Sequence, residues 1–216
     1  MSEGAQLRFR LIGTWWRIDL ASDEAATASA TAVARGTLGT ADQQATARRR
    51  MRGDLVAAAA AARDAQARLM LLQTELGPGE PMSATLTVYD DERVRMSPAI
   101  GTGPDRVLAV LEESLPVIAP GLAATATRRR FDGGETVRVH RIDETVETED
   151  GEEFVQRRLV AQYWYPEPDS KHLVLAVLST PLGDIPHTLL SYFDAIVEVS
   201  RFDLPVAAVA PPALQS

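Results

Sequence analysis

The chain has 216 residues, 45% of them hydrophobic and 24% charged, the proportions of an ordinary soluble globular protein rather than a disordered one. A formal net charge of -8 and a pI near 5.0 disfavour nucleic acid as a partner unless basic residues are segregated into a patch. The absence of cysteine excludes disulfides, thiol catalysis and thiolate metal sites together.

Residues 7–20 read as an opening strand, with Phe9 and Leu11 on one face and an interruption at Gly13 and Thr14. Trp15 and Trp16 follow; they are either core and rim packing or an exposed binding platform. Ser22 before Asp23 and Glu24 marks a helix start, a capping hydroxyl followed by acids in the first turn, and Gly36 and Gly39 are expected to end that helix. A longer helix is expected from Ala41 to about Ala67, with Thr40 as its cap and Leu55, Val56, Ala59 and Ala62 as its buried stripe. Its Arg48, Arg49, Arg50 and Arg52 read as an anion or acidic-partner site or, preferably, as a solvated helix face.

Residues 68–76 form the next apolar run, a buried strand or the last turns of the helix, and the Gly77-Pro78-Gly79-Glu80-Pro81 stretch breaks it. From Met82 to Tyr89 apolar and polar residues alternate, the pattern of a half-buried antiparallel strand. Asp90-Asp91-Glu92 reads as a polar turn rather than a cation site. Gly101-Thr102-Gly103-Pro104 opens a helix over residues 105–115; with neither a Walker nor a dinucleotide-binding motif, the glycines signal helix initiation. Residues 116–127 are expected to connect, with room for a strand, and Arg128-Arg129-Arg130 is a second basic cluster. A strand is expected over 136–142. Residues 143–153 contain seven acids and read as a solvated hairpin connection or mobile loop.

Strands are expected over 157–165 and 173–180, followed by an amphipathic helix from Ile185. In it Leu189, Leu190, Phe193, Ile196 and Val197 share one side, while Ser191, Asp194, Glu198 and Arg201 take the other. Residues 205–216 read as a flexible tail. The expected organisation is a single α+β domain over 1–204, a twisted, mainly antiparallel sheet with helices on its faces and an Ala-rich helical insertion at about 22–67.

No catalytic group, cofactor site or metal site emerges. His140, His172 and His187 lack the spacing of a metal motif, and there is no GxSxG nucleophile elbow. No apolar run is long enough to span a membrane, and no basic and apolar leader opens the chain, so the default expectation is a cytoplasmic protein. Heavy use of Ala and Arg with Lys171 as the only lysine suggests a GC-rich, bacterial genome.

The run Leu159-Val160-Ala161-Gln162-Tyr163-Trp164-Tyr165-Pro166, the strand 173–179 and the helix reaching Ile196 and Phe202 resemble the end of Mog1/PsbP-like and DcrB-like domains. Trp16-Arg17-Ile18-Asp19-Leu20 is similar to the first-strand pattern of that group. The resemblance implies an α/β sandwich that binds other proteins, as an adaptor or chaperone for a secreted or effector protein; a homodimer is a further expectation. It carries over no catalytic residue. Trp15, Trp16, Tyr163, Trp164 and Tyr165 are the candidate partner-binding residues, with Tyr163 and Tyr165 alternatively core. The other reading is a small-ligand binder or enzyme with a pocket between sheet and helices.

Overall fold

The computed structural model describes residues 5–91, 94–96, 101–149 and 152–203. Their main feature is an antiparallel seven-stranded sheet in the order β2-β3-β4-β8-β7-β6-β5. It consists of two meanders, β2 (Thr14–Ile18), β3 (Ala67–Gly77) and β4 (Glu80–Tyr89), then β5 (Thr127–Phe131), β6 (Gly134–Glu149), β7 (Glu152–Pro166) and β8 (Leu173–Thr180). The meanders join where β4 pairs with β8, from Thr85↔Ser179 to Tyr89↔Leu175.

The front face carries one helix, α5 (Pro186–Glu198). Its Leu189, Leu190, Phe193, Ile196 and Val197 are buried against Leu86, Leu159, Ala161, Tyr163, Ala176 and Leu178. Among the described residues the back face is covered only at its two ends. At one end α1 (Asp23–Leu38) and α2 (Ala45–Asp64) pack on β2 and β3 through Ala26, Ala30, Val33, Leu55, Ala59 and Ala62. At the other, α3 (Pro104–Ile118) and the short α4 (Pro120–Ala123) pack through Val107, Leu108, Leu111 and Leu115 on Val137, Val139 and Leu173. The expected mixed α+β architecture with a large antiparallel sheet is therefore present. No helix among the described residues is long and apolar enough to cross a membrane.

Several local expectations hold. Ser22 caps α1, its Oγ accepting from the Ala25 amide at 3.1 Å. Ala84, Leu86 and Val88 face inward along β4, and β8 has the expected bounds. The stretch 68–76 resolves as strand β3.

Others are corrected. The opening strand is two: β1 (Gln6–Arg8) pairs with β9 (Arg201–Asp203), while β2 joins the main sheet. Gly13 lies between them with φ +83°, and a Cβ there would stand 2.2 Å from the Glu75 carbonyl oxygen. Gly36 does not end α1; it lies inside the helix because the Trp16 ring packs where its Cβ would be, 2.6 Å from Trp16 Cη2. Thr40 caps nothing. A 3-10 turn at Asp42–Gln44 intervenes, and α2 begins at Ala45 without a side-chain cap. Residues 116–127 hold the end of α3, which continues through Pro116, and α4 instead of a strand, while Arg128-Arg129-Arg130 belong to β5. The acidic stretch is a ladder, with β6 and β7 paired from Val137↔Trp164 out to Glu149↔Glu152. Beyond Leu159↔Thr180 and Thr127↔Arg138, where β8 and β5 stop pairing, the β6–β7 ribbon continues alone. The expected tail lies outside the described residues, as does Glu92 of the acidic turn.

These glycine environments give opposite expectations. Gly13→Ala forces a side chain into a left-handed backbone and onto a carbonyl, and should cost about 1–3 kcal/mol. Gly53, within α2 and with nothing within 4 Å of a built Cβ, should gain about 0.8–1.0 kcal/mol on changing to Ala. Urea denaturation of the two variants beside the parent measures both.

Candidate functional site

The front face is closed around a carboxylate. Asp194 of α5 turns toward the sheet, contrary to the helical pattern that placed it on the solvated side. Its Oδ1 accepts from Tyr163 Oη at 2.8 Å, and its Oδ2 accepts from Arg138 Nη1 at 2.6 Å and Arg129 Nε at 2.8 Å. The three donors sit on β7, β6 and β5, so one helical side chain ties three adjacent strands. Tyr163 is fully buried, and burial together with the Asp194 charge pushes its phenol well above the usual range, keeping it a donor. Next to Arg138 on the same face, His140 is half-buried; burial first, then the Arg138 guanidinium, holds its imidazole below the ordinary value. Arg138 Nε and His140 Nδ1 are buried without a hydrogen-bond partner among the described residues. The arrangement contains no nucleophile with its base. It anchors a helix.

Two further polar groupings are also structural. His172, at the turn before β8, is 3% exposed; its Nε2 lies 2.9 Å from the Asp91 carbonyl oxygen and its Nδ1 3.4 Å from Glu167 Oε2. Asp90 of the acidic turn pairs with Arg68 at 2.8 Å. Arg128 is held by Glu112 and Glu135, each at 2.9 Å, which raises its already high pKa further. Among the described residues no group of three or more His, Asp or Glu could hold a metal ion.

The back face is where the molecule is open. Between α2 and the middle of the sheet runs a groove of about 740 Å³. Its floor is the outward side of β4, β8 and β7, including Thr85, Thr87, Val177, Ser179, Gln156 and Arg158, and its wall is α2 through Ala57, Ala58 and Ala61. Those three alanines stand one and four positions apart and so share one helical face. They are exposed, and any larger residue there would fill the space. Thr85 Oγ1 and Ser179 Oγ satisfy each other across the β4–β8 pair at 2.7 Å. Thr87, Gln156 and Arg158 have no side-chain partner among the described residues and remain able to meet a ligand. Tyr89 closes one end, its phenol raised above the ordinary value by burial. Hydroxyls, an amide and a guanidinium on this floor can recognise polar groups.

The five aromatic candidates do not assemble into one surface. The alternation of β7 sends Tyr163 and Tyr165 to the front and Trp164 to the back. Both tyrosines are completely buried and are core residues, Tyr165 in edge-to-face contact with Phe131 at 5.0 Å and within 3.1 Å of Ser200 Oγ through its hydroxyl. Trp164 is half-buried against the α3 cluster. Trp15 packs against the front core, its Nε1 donating to the Ile12 carbonyl at 2.8 Å, and Trp16 faces the back, its Nε1 donating to Thr74 Oγ1 at 3.1 Å. Of the groove residues, Thr85, Thr87, Gln156 and Arg158 are not among the sequence candidates, although the polar side of β4 is a signal for the first two; the Ala-rich helix that forms the wall is itself a binding surface that the sequence suggests. Comparison with protein-family models, with curated proteins and with solved structures found no match to this chain.

Asp194→Ala leaves two guanidiniums and a buried phenol without their acceptor and should cost about 3–5 kcal/mol, whereas Tyr163→Phe removes one charge-assisted bond and should cost about 1.5–3 kcal/mol. Chemical denaturation of each separates them. For His140, the folded pKa lies below the ordinary 6.5, so as pH falls past that value the unfolded chain takes up the proton first and stability is lost. The fall in urea midpoint between pH 7 and pH 5 should therefore be smaller in His140→Gln than in the parent.

Proposed function

We propose that this chain is a non-enzymatic protein-binding module that takes a polypeptide segment of its partner into the groove beneath α2. The groove itself carries the reading: it is open, about 740 Å³, smooth along its alanine wall and polar along its floor. A bare alanine wall admits a backbone or a second helix closely, and the unpartnered Thr87, Gln156 and Arg158 offer it fixed hydrogen-bond positions. The likeness of the sequence to Mog1/PsbP-like and DcrB-like domains points the same way, toward an adaptor or chaperone for a secreted or effector protein. An antiparallel sheet with helices on both faces supports that likeness, while the helical hairpin between β2 and β3 departs from it as an enlarged insertion. The volume also falls within the range of small-ligand sites, which favours a ligand binder as the second reading.

Photo-crosslinking in the native cell distinguishes the two. A benzoylphenylalanine placed at Ala58 or at Ser83 should form an adduct with the same polypeptide, and one placed at exposed Glu113 on α3 should not. Ala61→Arg, which fills the groove, should abolish both adducts. Failure of both groove positions, together with a small molecule seen on the purified protein by native mass spectrometry and lost in Ala61→Arg, would replace the first reading by the second.

A further inference from the structure

The arginines of α2 are not spread evenly around the helix. Positions 48, 49 and 52 are one and four residues apart and share a face. That face turns toward α1, where Arg35 in the last helical turn meets it. The four arginines, with Thr31, Ala34 and Ala45, line a groove of about 200 Å³. Arg50 points to the opposite flank of α2 and lines the sheet groove instead.

Within this second groove the arginines have different duties. Arg48 is half-buried and spent on the α1–α2 connection, its Nη1 donating to the carbonyls of Gly39 at 3.1 Å and Ala41 at 2.7 Å. Arg35, Arg49 and Arg52 are exposed, and none has a hydrogen-bond or ion-pair partner among the described residues. None of the residues lining the groove is acidic. Against a net charge of -8, this is a local excess of positive charge whose members repel one another while acids lie elsewhere on the chain. The fanned, separately solvated arrangement expected from four nearly consecutive arginines would show no such convergence.

We propose that the α1–α2 groove docks an acidic polypeptide segment, with Arg35, Arg49 and Arg52 receiving its carboxylates. Guanidinium forks match carboxylates in geometry and charge. The groove is open to water, so one exposed ion pair is weak and binding requires several carboxylates carried on one chain. This rests on the protein-binding reading and adds the chemistry of the partner. The sheet groove lies on the other flank of α2, so the two surfaces succeed or fail separately.

The test is fluorescence anisotropy of a labelled hexaglutamate peptide titrated with the full chain at low and at near-physiological ionic strength. Saturable binding that weakens with salt is expected, falling about tenfold in the Arg35→Ala, Arg49→Ala, Arg52→Ala triple variant, the product of three modest contributions. Arg50→Ala should bind like the parent. Because the three side chains hold no partner, the triple variant should keep the parent's circular dichroism and urea midpoint; the corresponding triple glutamine variant gives the same readout should the alanine variant misfold. No saturable binding, an equal loss in Arg50→Ala, or a charge-matched oligonucleotide binding more tightly than the peptide with the same arginine dependence would each overturn the proposal. If crosslinking from Ala58 persists while hexaglutamate fails, only the acidic-segment proposal falls; if crosslinking fails while hexaglutamate binds, the sheet-groove reading falls and the arginine groove stands.

Discussion

A single carboxylate fixes how the front of this molecule is assembled. Asp194 receives a phenol from β7 and guanidiniums from β6 and β5, three strands from one meander. Hydrophobic burial would hold α5 on the sheet in any of several rotations, because apolar contact has no direction. The three hydrogen bonds select one, the rotation that lays Phe193 and Val197 against Leu86, Leu159 and Leu178. The end of α5 is then placed, and Ser200 beyond it meets the Tyr165 hydroxyl and accepts the Asp132 amide at 3.0 Å through its carbonyl. From there β9 runs back to pair with β1, so the first described strand and the last are positioned by the same anchor.

The back face follows a different logic. Both helical excursions lie on the same side: α1 and α2 between β2 and β3, on which they pack, and α3 and α4 in the connection from the first meander to the second, packing on β6 and the start of β8. The shared middle, where β4 meets β8, is left between them. Along Ala57, Ala58 and Ala61 the exposed face of α2 that looks over this gap is alanine, with Asp54 and Arg50 lining the gap one and two turns earlier. An opening on the sheet therefore arises from topology and is kept clear by residue size, which separates it from a surface hollow of irregular loops.

Where one physical rule dominates, the sequence is legible. The apolar spacing of α5, the alternation of β4 and the hydroxyl before α1 each follow from a single local preference, and each reads correctly. The misreadings occur where a distant partner decides. Gly36 looks like a helix stop until Trp16 arrives from another element to occupy the space beside it. The run Thr127 to Phe131 carries three arginines and looks unlike a strand; Glu112 on α3 and Asp194 on α5 neutralise two of them from opposite faces. Asp194 itself sits at a position that averaging around a helix assigns to solvent. Tyr163 and Tyr165 look like a binding patch in the chain and are core in the fold, a choice the sequence left open because both outcomes use the same alternation. The converging arginines of α1 and α2 could not be read because their convergence involves two helices.

The β6–β7 ribbon, continuing past its neighbours, has a cost of its own. Outside the sheet neither margin has a strand partner among the described residues, the Arg157 carbonyl alone accepting from the Gly183 amide at 2.9 Å. Such edges are the template on which strands of other molecules add themselves. Its composition resists this. Asp143, Glu144 and Glu153 charge the ribbon, and the Glu144–Arg157 pair at 3.1 Å keeps opposite charges within it. The acids that make this stretch look like a loop thus act as a guard against self-assembly along an open edge, and a neutralising environment would weaken that guard before it disturbed the core.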